Sequence, residues 1–345
     1  MPLLRHEVPF QRREAQRPPL KILVVAPSWI GDTIMMQPLL MRLRELHPQA
    51  EIHVLAPAWS APLLARMPEV TATIENPFAH GAFDWAGRKA LGCRLAGADF
   101  RQAYVLPNSW KSALVPFFAK IPERIGYHGE ARYFLLNRRF PKSTLPRLVD
   151  RYAALAGNSG TATPEPRLTS ALQQQRAARE TLGLPPDAAP VVFCPGAEYG
   201  PAKRWPIHHY AALARKVGAG GTAVWIIGSH KDAVVGKEIE RLSEGTALNL
   251  CGRTNLEQAI DLIAGARAVV SNDSGLMHVA AALDRPMVAL YGSSSPAYTP
   301  PLSAHAKILS LGLDCSPCFK RECPLGHLRC LEDIAPEYVL AALNL

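Results

Sequence analysis

Asp32 ends the tetrapeptide W-I-G-D, just behind the apolar run K-I-L-V-V-A-P of residues 21–27. A carboxylate where a buried strand hands over to a helix can cap that helix, or it can take a proton from a substrate hydroxyl. Gly31 before it allows the tight or positive-φ turn by which the chain leaves the strand. A helix N-terminus stabilises a carboxylate, so a lowered pKa is expected for Asp32. Such a base works only if the hydroxyl acidifies late, as it does on attacking a centre with cationic character.

The second group is S-N-D-S-G-L-M-H, residues 271–278, where Asp273 and Ser274 open a helix with Gly275 at its second or third position. Open amides at Ser274, Gly275 and Leu276 bind phosphate, and the helix dipole favours the anion. Asp273 would repel phosphate and is read as a cap or as an acceptor for sugar hydroxyls. His278 lies one turn along on the side of Ser274; packing within the helix is the simpler account of a lone histidine. In C-P-G-A-E-Y-G-P-A-K-R-W-P, residues 194–206, Gly196, Ala197 and the amides after them can cradle an anion. Lys203 adds a mobile positive charge suited to a diphosphate. A fourth strand end, I-I-G-S-H-K-D at 226–232, puts Gly228 and Ser229 on the same rim, where they can line a nucleoside. Finally, Cys315, Cys318, Cys323 and Cys330 lie close together beside His327. Their opening C-x2-C is a zinc-ligand spacing, but the remainder is compressed beside ordinary zinc ribbons. Small, buried, reduced cysteines packing the end of the second domain are the preferred reading, with no metal required.

These residues need strands to present them. Runs at 21–27, 51–57 and 102–107 alternate with helical patterns, one from Thr33 to about His47 and one near Trp59 to Arg66. The linker composition G-N-S-G-T-A-T-P-E-P follows at 157–166, and runs at 190–196, 222–228, 266–272 and 286–292 resume the alternation. Such alternation makes parallel sheets with helices on both faces. Two Rossmann-like domains facing each other across a cleft are therefore predicted, over residues 20–165 and 166–345. Ligands of such sheets bind beyond the carboxyl ends of the strands. The last helix is expected to pack back on the first domain. The first nineteen residues read as a basic tail without a secretory h-region, which points to a cytoplasmic protein.

With 345 residues, and domains clustering at about 100 to 200, the chain accommodates two cores. Seven cysteines suit a reducing compartment better than a disulfide framework. The formal charge is +9, and residues 101–151 carry ten Lys/Arg against three acids. That face attracts an anionic partner, and Lys111, Arg124 and Arg132 are its candidate acceptor-binding residues; a solvated basic face is the alternative.

On P-S-W-I-G-D, K-R-W-P, N-D-S-G-L-M-H and the C-S-P-C-F-K-R-E-C-P-L-G-H block, the chain from about Lys21 onward resembles the bacterial ADP-heptose:lipopolysaccharide heptosyltransferases. The resemblance implies a GT-B fold and transfer of L-glycero-D-manno-heptose, with inversion, from ADP-heptose to the first heptose of heptosyl-Kdo2-lipid A. Asp32 matches the family's general base, Lys203 a lysine at the donor diphosphate, and Asp273 an aspartate on the donor sugar. It further implies no required cofactor, and acceptor binding at the inner leaflet with the protein peripheral to the membrane. Transfer of the first heptose, or use of another sugar nucleotide, is the alternative within the class. An NAD-dependent dehydrogenase lacks its G-x-G-x-x-G after the first strand. A basic nucleic-acid-binding protein with a cysteine zinc module is the alternative from another class; no nucleic acid is expected.

Overall fold

The computed structural model describes residues 18–79, 81–157 and 160–345. Most of the basic tail, and Asn158 and Ser159 of the linker composition, lie outside them. The first sheet contains β1 (Lys21–Val25), β2 (Glu51–Ala56), β3 (Ala72–Glu75), β4 (Gln102–Val105), β5 (Glu123–Tyr127) and β6 (Arg138–Phe140). Its order is β3-β2-β1-β4-β5-β6, parallel throughout. The second contains β7 (Val191–Cys194), β8 (Val224–Ile226), β9 (Ala247–Asn249), β10 (Ala268–Asn272), β11 (Met287–Leu290) and β12 (Ala306–Leu309). It runs β12-β11-β10-β7-β8-β9, again parallel. β1, β7 and β10 are apolar and buried along almost their whole length, because helices cover both faces. Strand order reverses between β1 and β4 and between β7 and β10. A crevice for ligand opens at such switch points.

The first lobe carries α1 (Ile30–Met35), α2 (Gln37–Leu46), α3 (Ala61–Leu64), α4 (Trp85–Leu95), α5 (Leu114–Phe118) and α6 (Leu148–Ala153). The second carries α7 (Leu172–Thr181), α8 (Ile207–Ala219), α9 (Ala233–Leu242), α10 (Leu256–Ala264), α11 (Gly275–Ala282), α12 (Arg329–Glu332) and α13 (Pro336–Leu343). The single helix expected from Thr33 to His47 is two helices. The first begins at Ile30 and stops at Met35, since Pro38 in the next turn lacks an N–H and its ring crowds the carbonyl of Ile34. The last helix does not pack back on the first lobe. α13 lies against α8 and β11 of its own lobe, burying Val339 and Leu343 in that core.

The lobes meet through side chains rather than through a slack connection. The Gln37 amide donates to the Arg167 carbonyl (2.7 Å) and accepts from its N–H (2.9 Å). Arg66, just after α3, reaches Asp261 of α10 at 2.9 Å, with both side chains about 5% exposed or less. Ser170 donates to the same carboxylate at 2.8 Å. Without Asp261, Arg66 would keep only the more exposed Glu257 carboxylate, at 3.5 Å, as a charged partner in a site nearly closed to water. Asp261→Ala is therefore expected to cost about 3–5 kcal/mol, measured by chemical denaturation with the Arg66→Leu/Asp261→Leu double variant as reference. A loss below about 1 kcal/mol, the range of an exposed pair, would remove this contact from the lobe interface.

Candidate active site

Facing strand ends enclose a cleft of about 580 Å3. Ser28, Trp29, Ile30 and Gly31 line it from the first lobe, and Gly196, Ala197, Gly228, Ser229, Ser274, Gly275 and Leu276 from the second. The seven second-lobe residues are all ones whose types and positions in sequence suggest donor contact. Three others singled out with them, Lys203, Asp273 and His278, are not on its lining. Trp59, Asp232 and the stretch Thr254 to Leu256 line the cleft without having been read from the sequence. Only Asp232 carried a local cue, since the I-I-G-S-H-K-D strand end contains it.

α11 starts at Gly275, its first residue, with Ser274 as N-cap in extended backbone. The Ser274 side chain makes no capping bond and lies 3.4 Å from the Ser271 hydroxyl. The first amides of the helix therefore lack both an intrahelical acceptor and a side-chain cap, and those of Gly275 and Leu276 belong to cleft-lining residues. Asp273 does not cap the helix. Its carboxylate accepts from Lys203 Nζ at 2.5 Å, with both groups largely buried. Lys203 closes a short 3-10 turn, Pro201–Lys203, whose loop is held from behind. Ala202 N–H donates to the Arg321 carbonyl (3.0 Å), and Trp205 N–H to the buried Asn272 Oδ1 (3.0 Å). Asn272 Nδ2 returns to the Pro195 carbonyl (2.7 Å). Asn272 thus couples the two donor loops, a role its presence in N-D-S-G alone could not reveal.

Asp32 is the third residue of α1, and Trp29 takes the N-cap position, so Asp32 is not the cap. Its pKa moves opposite to the expectation. Burial pushes it from 3.8 to about 6; the Lys203 ammonium pulls it back down and Asp273 adds to the rise. Burial outweighs the Lys203 charge, and the result is a carboxylate that is ionised at neutral pH yet basic enough to take a proton. The three charged groups therefore form one electrostatic unit across the lobe boundary. Tyr152 and Tyr298 lie within reach of the Asp32 charge.

Gly31 is needed for closeness and not for a left-handed turn: a Cβ there would stand 2.7 Å from His278 Cδ2. His278 is accordingly a packing residue; burial holds its pKa down at about 4, so it is neutral. Gly275 plays the same part in reverse, its absent Cβ leaving room for Ile30 Cβ at 2.7 Å.

A second cavity, about 610 Å3, opens at the ends of β1 and β4 and shares Ser28 with the first. Lys111 lines it together with Asn76, Arg88, Asn108, Trp110 and Glu130. The other two candidate acceptor residues do not. Arg132 is 2% exposed and donates to the carbonyls of Pro107 (2.5 Å) and Tyr127 (2.7 Å) and to Asn108 Oδ1 (3.2 Å). Arg124 donates to the carbonyls of Leu135 (2.7 Å) and Ile121 (2.6 Å). Both guanidinium groups are occupied in holding the loop that closes the first lobe, which a count of charge in sequence cannot distinguish from free charge.

Cys315, Cys318, Cys323 and Cys330 border a cavity of about 10 Å3 with His327 and Ala202. Only Cys330 is buried, so the expected packing of four buried thiols does not hold. Among the described residues, the one trio of potential metal-ligand atoms within 4.8 Å of one another is His208, His209 and Glu332, not these cysteines. What the block does is back the Lys203 loop: Tyr199 OH donates to the Phe319 carbonyl (2.8 Å), and a Cβ on Gly200 would meet the Arg321 carbonyl at 2.4 Å.

Two Rossmann-like lobes, with an uncapped helix start lining the cleft between them and the desolvated Asp32 carboxylate on the helix packed against it, have the architecture of a nucleotide-sugar transferase of the GT-B type. Residues 88–329 match glycosyltransferase family 9 (heptosyltransferase), and the chain belongs to that family. It is 48% identical over 340 residues to lipopolysaccharide heptosyltransferase 2 of Escherichia coli strain K12, covering 94% of this chain and 98% of that protein. Against lipopolysaccharide heptosyltransferase 2 of Salmonella typhimurium the identity is 47%, with the same coverage. The solved structure of E. coli ADP-heptose LPS heptosyltransferase II superposes with a TM-score of 0.84 at 44% identity, over 94% of this chain and 98% of that one.

Because the folded pKa of Asp32 lies above its unfolded value, its stabilising contribution is complete below about pH 4 and is lost as pH rises through about 6. Asp32→Asn should therefore unfold at a higher temperature than the native protein at pH 8, by about 1–3 kcal/mol in free energy, with the difference vanishing near pH 4. Equal stability at both pH values would mean that Asp32 is not desolvated.

Proposed function

We propose that the protein is an inverting glycosyltransferase that moves L-glycero-D-manno-heptose from ADP-heptose to the first heptose of heptosyl-Kdo2-lipid A. The observation that carries this reading is the convergence at the lobe boundary of uncapped helix amides that line the cleft with, just behind that lining, the Lys203–Asp273 pair and a carboxylate poised near neutrality. The identity to proteins named for this reaction supports it.

In this scheme the amides of Gly275 and Leu276 and the Lys203 ammonium hold the diphosphate, and the nucleoside lies along Gly228, Ser229 and Leu256. The acceptor enters from the second cavity, whose shared Ser28 brings it to the same junction. Its hydroxyl attacks the anomeric carbon from the side opposite the diphosphate, and Asp32 takes the proton as the new bond forms. The bond from that carbon to the diphosphate oxygen breaks and ADP leaves with the electron pair, its growing charge met by preorganised donors. Protein groups supply all of this stabilisation. Asp273, ion-paired to Lys203, is placed to orient both the ammonium and a donor-sugar hydroxyl. Closure of the lobes keeps water from the activated sugar.

No described helix is long and apolar enough to cross a membrane. The acceptor is anchored in lipid, so the protein works as a peripheral partner of the inner membrane, on its cytoplasmic face. The +9 charge suits an acceptor bearing carboxylates and phosphates.

Mass-spectrometric detection of transfer, with a panel of ADP- and UDP-sugars and truncated core acceptors, is expected to select ADP-heptose and the mono-heptosylated acceptor. Preference for any other pair would overturn the assignment. Asp32→Asn should lower kcat about 100- to 10,000-fold while calorimetric binding of ADP-heptose is unchanged. The acid limb of kcat/KM should fall at about pH 6. Lys203→Ala should weaken donor binding at least about tenfold. It should also move that limb to higher pH, because the ammonium lowers the Asp32 pKa. An unmoved limb would separate the two residues.

A further inference from the structure

Several large apolar side chains of the first lobe stand in water, and they form one row. Phe83, Trp85 and Trp110 stack with ring centroids 5.9 to 6.4 Å apart. Trp85 meets Phe118 edge-on at 5.2 Å, and Phe118 meets Phe117 at 5.4 Å. Arg124 lies over Phe117 and donates to the Leu135 carbonyl, which ties the row to residues 131–140. There Tyr133 is 56% exposed and Phe134 88%, the highest value among the large hydrophobic residues described, with Arg139 over the Tyr133 ring. At its inner end the row reaches the second cavity, which Phe83 and Trp110 line.

The charge beside the row is net positive, although exposed Asp84 lies between Phe83 and Trp85 and Glu130 accepts from the Trp110 N–H at 2.7 Å. Arg138 is paired with Glu123 at 2.7 Å, whereas Lys120, Arg139 and Lys142 are exposed and make no ion pair among the described residues. An aromatic row from Phe83 to Phe117, tied through Arg124 to two further exposed rings at Tyr133 and Phe134, is uncommon on a protein surface and marks a contact site. Trp and Tyr rings with a polar edge, and unpaired Lys and Arg beside them, match the headgroup layer of an anionic bilayer, where rings find a half-apolar medium and cations find anionic lipid. The row's direction favours lipid over nucleic acid, since it runs from its most exposed ring to the cavity assigned above to a lipid-anchored acceptor.

We infer that the row from Phe83 to Phe134, with Lys120, Arg139 and Lys142, docks the protein on an anionic phospholipid bilayer, Tyr133 and Phe134 entering at headgroup level. The mouth of the second cavity then faces the membrane, and an acceptor sugar reaches Asp32 while its lipid stays in the bilayer. The inference rests on the proposed reaction for its purpose, but its test does not.

The full chain is co-sedimented with phosphatidylcholine vesicles with and without phosphatidylglycerol, none containing acceptor. Salt-sensitive binding to the anionic vesicles is expected, at least about tenfold weaker for Phe134→Asp and for Lys120→Glu/Lys142→Glu. Both variants should keep the native unfolding temperature and the native rate on a delipidated acceptor, and show a raised KM on the vesicle-embedded one. Binding unchanged in both variants, equal binding to neutral and anionic vesicles, or single-stranded RNA displacing the vesicles would each overturn the docking surface. If Phe134→Asp unfolds, the lysine variant decides. Native protein inactive on the delipidated acceptor would sink the proposed reaction and leave the vesicle result standing.

Discussion

Two glycines determine how closely the lobes approach. Gly31 on α1 lies beneath the His278 ring, and Gly275 on α11 lies beneath Ile30, so each helix supplies the bare backbone on which the other rests. A methyl group at either place would stand 2.7 Å from its neighbour, well inside contact distance, and the helices would have to part. The same two residues line the cleft, Gly275 with an amide that has no intrahelical acceptor and Gly31 next to the carboxylate. Close packing and chemistry are thus joined in four residues. A neutral His278 suits this contact, since a charged ring there would be buried beside an Asp273 already paired to Lys203.

The electrostatics follow from that closeness. Asp32 loses water because the second lobe covers it, and desolvation raises its pKa more than Lys203 lowers it. Lys203 is in turn held by Asp273, which projects from the end of β10, at the switch point of the second sheet. Asn272 and the cysteine block fix the loop that carries the lysine, one from inside the core and the other from the rim. A carboxylate, a cation and a set of free amides come from separate elements, and the loops that carry the last two are anchored by buried hydrogen bonds. Preorganisation of this kind is what stabilises charge as it develops in a transition state.

Much of this was legible in the chain. The buried strands β1, β2, β4, β7, β8, β10 and β11 stand out because a strand covered on both faces must be apolar throughout. β3, β5, β6, β9 and β12 did not stand out: they lie at or next to sheet edges, where β6 is mostly exposed and carries two arginines. Seven cleft-lining residues were visible for a related reason, since ligands of parallel sheets bind at strand ends and glycine or a helix-capping serine marks them. Free and carbonyl-bonded arginines carry the same letter, so the engagement of Arg124 and Arg132 with backbone carbonyls could not be read from the chain.

Residue order and type were enough to specify two parallel sheets, the loops that face each other, the helix start suited to phosphate and the acid opposite it, because periodicity and backbone chemistry are local properties. Whether Asp32 is a cap or a base, whether His278 titrates, and which lysine or arginine is free depended on the folded whole. Burial and charge at those atoms come from groups tens to hundreds of positions away, and a pKa responds to distance in space rather than along the chain.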